Sequence, residues 1–458
     1  MTEPKSADLA IVNGEVVLPE GRIARLNIGT TDGRIVVLSS SAIEAGETID
    51  ATGLTVLPGL IDEHFHVFRN YGWETYEGAT RAAIKGGLTS VVDMPLDNPP
   101  PLTADALKEK IAGISGSCHL DYALFGGYLD SNPDAMAEMD QAGASAFKLF
   151  TGGVAPPGMY PGVDDGQLLD ALRRVARLGS RVTVHAENAF MVDFETCRLQ
   201  KAGRSDMAAW DEARPWFSET AAAQTVALAS QVSGARAVIA HVSSPQTVEA
   251  INDARRRGAD VWAETCHHFL CRPEGDVLDD PRCKWNPPTR DAESVDWMWE
   301  QLREGKIHTV GSDHAPLEKD PEASVWDQKP GAGNGAELVF PVFATEAIHK
   351  REVGIDRVVD LMSTTPAQLF GLDDRKGAIA IGKDADFTIV ETNGSRRLDA
   401  QELEYHAQEK WSPFDGMELR VFPIYTVLRG KVVYADGEVI GVPGDGEFMV
   451  GRARTDAD

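Results

Sequence analysis

His64 and His66 stand two residues apart in the run Asp62-Glu63-His64-Phe65-His66. In a β-strand, residues i and i+2 share a face. Both imidazoles are therefore expected on one side, with Phe65 turned to the other, and two imidazoles so placed can bind one transition metal. Single histidines close two further apolar runs, His185 after Val184 and His241 after Ala240, and Asp313 ends a third. That pair of histidines can hold a second ion, and a carboxylate beside the first can serve as ligand and as proton carrier. Lys148 interrupts the apolar run Ala146–Phe150. Burial and neighbouring cations would lower its pKa, and a neutral amine can take up carbon dioxide to become an anionic carbamate able to bridge two metals. The plainer alternative is an amine that reaches solvent. For single histidines the plainer reading is a satisfied core or loop side chain, which is the expectation for His119, His308, His349 and His406.

What must position these residues is a set of eight short apolar runs: Thr55–Ile61, Ser90–Met94, Tyr122–Phe125, Ala146–Phe150, Arg181–His185, Ala237–His241, Asp260–Thr265 and Thr309–Asp313. Helix-like stretches such as Ala221–Val232 and Pro245–Arg257 lie between them. Eight such alternations predict an α/β fold with a closed (β/α)8 barrel of the TIM type. In such barrels the active site lies at the C-terminal strand ends, where the ligand-type residues fall. Strands and tight turns such as Asn13-Gly14 and Asp32-Gly33 fill the first 55 residues, and the same texture returns near residue 376. The expected organisation is a barrel over 56–375 and a small β-sandwich built from 1–55 and 376–458, with a loose tail after about Gly451.

A chain of 458 residues, 43% hydrophobic, can bury a barrel core and a second unit. A formal net charge of −27 argues against nucleic acid or an anionic membrane surface as partner. No apolar run is long enough to span a bilayer. The polar stretch Met1 to Ala7 lacks a secretory pattern, and five scattered cysteines suggest reduced thiols. The expected location is the cytoplasm.

The motifs PGLIDEHFHV (Pro58–Val67), AFKLF (Ala146–Phe150), VHAEN (Val184–Asn188), AHVSSP (Ala240–Pro245), ETCHHF (Glu264–Phe269), KWNPPTR (Lys284–Arg290) and GSDHAP (Gly311–Pro316) run through the whole barrel. KGAIAIGKDADFTIV (Lys376–Val390) follows it. The chain resembles the amidohydrolase superfamily in its cyclic amidohydrolase branch of hydantoinases, dihydropyrimidinases, allantoinases and dihydroorotases. The resemblance implies two divalent ions per chain, zinc first, with manganese, cobalt or iron as alternatives. It places His64, His66, Lys148 as N6-carboxylysine and Asp313 on one ion, and His185, His241 and the same carbamate on the other. It implies a metal-activated hydroxide that opens the ring of a small cyclic amide, with Asp313 taking its proton and passing it to the leaving nitrogen. Relatives are often homo-oligomers, tetramers or dimers, although no interface signal is visible in the chain. A mononuclear deaminase would lack Lys148, and a non-catalytic scaffold would lack part of the ligand set.

For the substrate the motifs point in two directions. Trp73–Gly87 and Val92–Pro100 look like allantoinases, whereas Ser205–Trp210, Ala332–Leu338 and Trp411–Met417 look like bacterial hydantoinases, notably the L-type. Dihydroorotases carry an arginine two residues after the second histidine, where this chain has Phe68. D-type hydantoinases and dihydropyrimidinases carry a tyrosine five residues after the lysine, where this chain has Gly153. The expectation is a hydantoinase-like or allantoinase-like activity, with dihydropyrimidinase or dihydroorotase activity as the alternative. Asn286 and Asn334 match positions that bind the amide edge of the ring; as loop residues, they are also ordinary turn formers. Phe68 and Phe150 are expected to line a pocket for an apolar ring substituent, among other aromatics (Phe65, Tyr71, Trp73, Tyr160) and Met159 near the mouth.

Overall fold

The computed structural model describes residues 6–68, 74–152, 160, 162–332, 335–405, 410–435 and 437–451. Eight parallel strands form one sheet in chain order: β1 Leu60–Phe65, β2 Leu88–Asp93, β3 Asp121–Gly126, β4 Ala146–Phe150, β5 Arg181–His185, β6 Arg236–Ile239, β7 Val261–Cys266 and β8 Thr309–Gly311. The sheet closes where Phe65 bridges in parallel to His314 and the His66 amide donates to the His314 carbonyl at 2.8 Å. This is the TIM-type barrel, with a β-rich unit beside it.

Alternation along each strand sorts the side chains. In β4, Phe147 and Leu149 join the core between sheet and helices, while Lys148 and Phe150 turn inward to the cavity at the mouth. In β5, Val182 and Val184 face out, and His185 faces in. Ile61, Val92, Ala123, Phe125, Ala146 and Val238 fill the barrel above a floor of Leu369 and Phe370.

The outer helices used below are α1 Tyr76–Lys85, α2 Ala104–Ile114, α3 Ala135–Gln141, α4 Asp165–Leu178, α5 Ala189–Lys201, α6 Met207–Ala213, α7 Trp216–Ser233 and α8 Pro245–Arg256. Local signals set their ends. α4 starts at a capping box, in which the Gln167 amide donates to Asp164 Oδ1 at 2.8 Å, and stops at Gly179, whose φ of 66° suits glycine.

One expected strand divides. The run Thr55–Ile61 is not a single barrel strand: Thr55–Pro58 pairs antiparallel with Phe387–Glu391 in the neighbouring unit, and β1 begins at Leu60. Both halves are fully buried, so the apolar run shows no seam. The seam is Gly59, where a Cβ would lie 2.2 Å from Thr89 Oγ1, too close for any other residue.

The β-rich unit comprises a four-stranded and a seven-stranded sheet drawn from both parts of the chain. Leu9, Ile11, Ile28, Val56, Phe387 and Ile389 form the core they share. Its junction with the barrel is charged and buried. Asp121, at the start of β3, together with Asp384 and Asp386, is spaced as a metal site would be. Lys376 fills that space, with Nζ at 2.5 Å from Asp121, 2.9 Å from Asp384 and 2.5 Å from Asp386. Arg429 also binds Asp121.

Candidate active site at the barrel mouth

His64, His66, Lys148, His185, His241 and Asp313 converge at the C-terminal end of the barrel and line one cavity. All six are buried. The Nε2 atoms of His64 and His66 lie 3.3 Å and 3.4 Å from Asp313 Oδ1. His185 Nδ1 faces His241 Nε2 at 2.8 Å, and Lys148 Nζ lies 3.4 Å from His64 Nε2, with its charge also felt at His185 and His241.

Two of these residues leave the strand geometry to reach the site. His241 and Asp313 lie beyond the ends of β6 and β8, with φ of 39° and 48°. Non-glycine residues in this left-handed region cost about 1–3 kcal/mol each and gather at functional sites. Asp62 holds the turn after β8: its carboxylate accepts from the Ser312 amide at 3.0 Å and from the Ser312 hydroxyl at 2.5 Å, and its Oδ1 also accepts from the His64 amide at 3.2 Å.

The outward-facing nitrogens are held by carboxylates. With the proton assigned to the nitrogen facing the acid, His64 Nδ1–H donates to Glu264 Oε1 at 2.7 Å and His185 Nε2–H donates to Glu187 Oε2 at 2.7 Å. That leaves the inward nitrogens with lone pairs, the arrangement in which a second layer of residues orients imidazoles for a metal. Burial pushes His64 and His241 well below the usual imidazole range, so both are neutral donors. Burial likewise lowers the Lys148 ammonium to about 8, against the pull of Glu264 and Asp313. Asp313 is held below the ordinary carboxylate range: burial opposes this, but His64, His66 and Lys148 outweigh it. Burial also opposes ionisation of Glu187, yet the Arg214 guanidinium and His185 bring its carboxyl to about 2. The donors therefore suit a divalent cation in charge, type and direction.

The Amidohydrolase family profile matches residues 55–433. An L-hydantoinase of Paenarthrobacter aurescens is 35% identical over 97% of this chain and 98% of its own length. The chain belongs to the amidohydrolase family. An allantoinase of Escherichia coli O1:K1 is also 35% identical, over 97% of this chain and 99% of its own. Among solved structures, the L-hydantoinase (dihydropyrimidinase) from Arthrobacter aurescens superposes with a TM-score of 0.92 at 35% identity, covering 97% of this chain and 100% of that one. A D-hydantoinase superposes with a TM-score of 0.90 at 27% identity, over 97% and 99%. This amidohydrolase is a cyclic amide hydrolase with a divalent metal centre.

Of the other expected site residues, Phe68, Phe150 and Asn286 line the cavity. The Oδ1 atom of Asn286 is buried without a hydrogen-bond partner among the described residues. Asn334 lies outside the described residues, as do Tyr71, Trp73, Gly153, Met159 and His406. His119, His308 and His349 are satisfied elsewhere, by Thr80, the Ala263 amide and the Thr392 carbonyl. The sequence reading passed over the supporting acids Glu187 and Glu264. A signal existed for each, because Glu187 stands two residues after His185 and Glu264 sits near the end of β7, on the mouth side. It also passed over the apolar Leu96, Leu317 and Pro330, which reach the cavity from loops.

Glu187→Gln is expected to weaken metal binding by about 10- to 100-fold. Competition against a chelator of known affinity measures this, and an unchanged affinity would show that the carboxylate plays no part in aiming His185.

Proposed function

We propose that this enzyme opens the ring of hydantoins bearing an apolar substituent. The observation that carries this reading is the apolar part of the cavity lining, made of Phe68, Leu96, Phe150, Leu317 and Pro330. Beyond the six ligand-type residues, Asn286 is the one polar side chain lining that cavity among the described residues. The ureido tail of allantoin would leave its donors unpaired against such a wall, a costly outcome for a buried polar group. The carboxylate of dihydroorotate would meet Phe68 instead of a cation.

In this reading His64, His66, Lys148 and Asp313 would hold one ion, and His185, His241 and Lys148 the other. As a carbamate Lys148 could serve both, which fits a buried amine 3.4 Å from His64 whose charge also reaches His185 and His241. The ions would be zinc, or alternatively manganese, cobalt or iron. When bound, they supply an activated water and polarise the ring carbonyl. Asp313 would take a proton from the water as its oxygen bonds to the ring carbonyl carbon, and would return that proton to the ring nitrogen as the carbon–nitrogen bond breaks. Asn286, and Asn334 with it, binds the amide edge of the ring. Phe68 and Phe150 exclude water around the substituent. The product is an N-carbamoyl amino acid.

We further infer a division into a barrel over 56–375 and a β-sandwich from 1–55 and 376–458, and a homo-oligomeric assembly, tetramer or dimer. No helix among the described residues is long and apolar enough to cross a membrane. All five cysteines are unpaired, in keeping with a cytoplasmic setting.

Ring opening by the metal-loaded enzyme, followed on 5-benzylhydantoin, hydantoin, allantoin, dihydrouracil and dihydroorotate, tests the substrate. The aryl hydantoin is expected to give the highest kcat/KM, and a preference for allantoin overturns the reading. Phe68→Ala is expected to lower kcat/KM for 5-benzylhydantoin by about ten- to a hundredfold relative to hydantoin. An unchanged ratio removes Phe68 from the pocket.

A further inference from the structure

Asn286 lines the cavity, yet its Oδ1 has no hydrogen-bond partner among the described residues, so nothing at that atom fixes the side chain. Its aim comes from the backbone before it. Lys284, Trp285 and Asn286 lie between β7 and β8, outside any helix or strand. The Lys284 carbonyl accepts from the Gly331 amide at 3.1 Å and from Lys319 Nζ at 3.3 Å. Both donors belong to the loop after β8, and two loops bonded to each other can shift together. The Trp285 carbonyl, in the peptide that leads into Asn286, accepts from Trp210 Nε1 at 2.9 Å. That donor stands on α6, a regular helix that follows β5 in the chain. Trp210 therefore ties the Asn286 segment to the scaffold.

The indole is itself held in place. It is buried in a small apolar cluster with Met207, Phe269, Cys283, Trp285 and Val325. Two cations stand over its ring, Arg214 Cζ at 4.3 Å and Lys284 Nζ at 4.2 Å from the centroid, and the face of an indole attracts both. Each cation is fixed at a second point. Arg214 binds Glu187, the acid that supports His185, and Lys284 Nζ donates to the Gln328 carbonyl at 2.6 Å. The ring cannot tilt without disturbing one of them. An indole nitrogen is a donor only, so its single N–H, held in this way, points at one carbonyl. Trp210 does not line the cavity, and what it does for the substrate passes through its neighbour. We propose that Trp210 is a positioning residue: through the Trp285 carbonyl it sets where Asn286 meets the amide edge of the substrate ring. The inference rests on the reading above in which Asn286 binds that edge.

Steady-state kinetics on the metal-loaded full chain tests it, with 5-benzylhydantoin or whichever cyclic amide the wild type opens fastest. Trp210→Phe keeps an aromatic face for both cations and removes the N–H. It is expected to raise KM about five- to tenfold and to leave kcat within about twofold, as losing an interaction shared by ground and transition states does. Bound metal is expected to stay at the wild-type level. Trp326→Phe is the control. It removes an indole N–H that packs against the same cluster but donates to the Arg204 carbonyl, at 2.7 Å, and it is expected to leave KM unaltered. In an Asn286→Ala background, Trp210→Phe is expected to add almost nothing to KM, because the group it positions is gone. Trp210→Met, a flexible filler without the N–H, carries the same comparison if the phenylalanine variant misfolds. A Trp210→Phe enzyme with the wild-type KM overturns the inference. So does a rise in KM that Trp326→Phe matches, or one that multiplies with the effect of Asn286→Ala. An Asn286→Ala enzyme with the wild-type KM overturns the reading of Asn286 itself, and this inference with it.

Discussion

Replacing Lys148 with alanine is expected to strip metal from the barrel mouth and to lower kcat by about a thousandfold or more, the scale of losing a principal transition-state stabiliser. The amine is fully buried, sits 3.4 Å from His64 Nε2, and faces His185 and His241 across the same cavity. As an ammonium it would repel cations; as a carbamate it would neutralise and join them. Elemental analysis of the purified variant should therefore show less bound metal, with the loss extending to both positions. Methyl removal elsewhere in the barrel would not do this. Because alanine leaves room where the side chain stood, a short carboxylic acid such as propionate should enter and restore part of both metal content and rate. A variant with wild-type metal content would refute the bridging role, and full activity without metal would refute the metal reading itself.

Asp313→Asn is the second large effect. It should reduce kcat by about ten-thousandfold, the upper range for a positioned acid–base group, while KM changes by a small factor. Asparagine keeps the size of the side chain and an oxygen toward His64 and His66, but cannot carry the proton. Oδ1 of Asp313 lies within 3.4 Å of both imidazoles, so a modest loss of metal at that position is expected as well. The His185 and His241 position should stay loaded. Steady-state kinetics with metal analysis on the same sample separates these effects. A variant that keeps a tenth or more of the wild-type kcat would assign the proton to another group.

The barrel and the six ligand-type positions were legible because β-alternation sorts side chains simply. In Ala146–Phe150 each outward residue is apolar, so a lysine at the inward middle position announces itself. His185 at the end of β5 is equally plain. Other features arise from contacts that no local pattern encodes. Gly59 parts two buried apolar strands without a polar residue to mark it. His241 and Asp313 bend off their strands into left-handed backbone, although a two-residue period would have continued the strands through them. Glu187 and Arg214 meet across 27 residues of chain, and Leu96, Leu317 and Pro330 come together only when two loops, one after β2 and one after β8, meet at the mouth.

Lys376 has a consequence for work with chelators. The three aspartates around it would suit a divalent ion, yet their cation is covalently part of the chain and cannot be exchanged or extracted. Metal counts taken from the protein should therefore carry no contribution from these three aspartates. A stripping agent would leave the seam between barrel and β-rich unit its counter-charge. An apoenzyme prepared in this way is a fair blank for reconstitution with one metal after another.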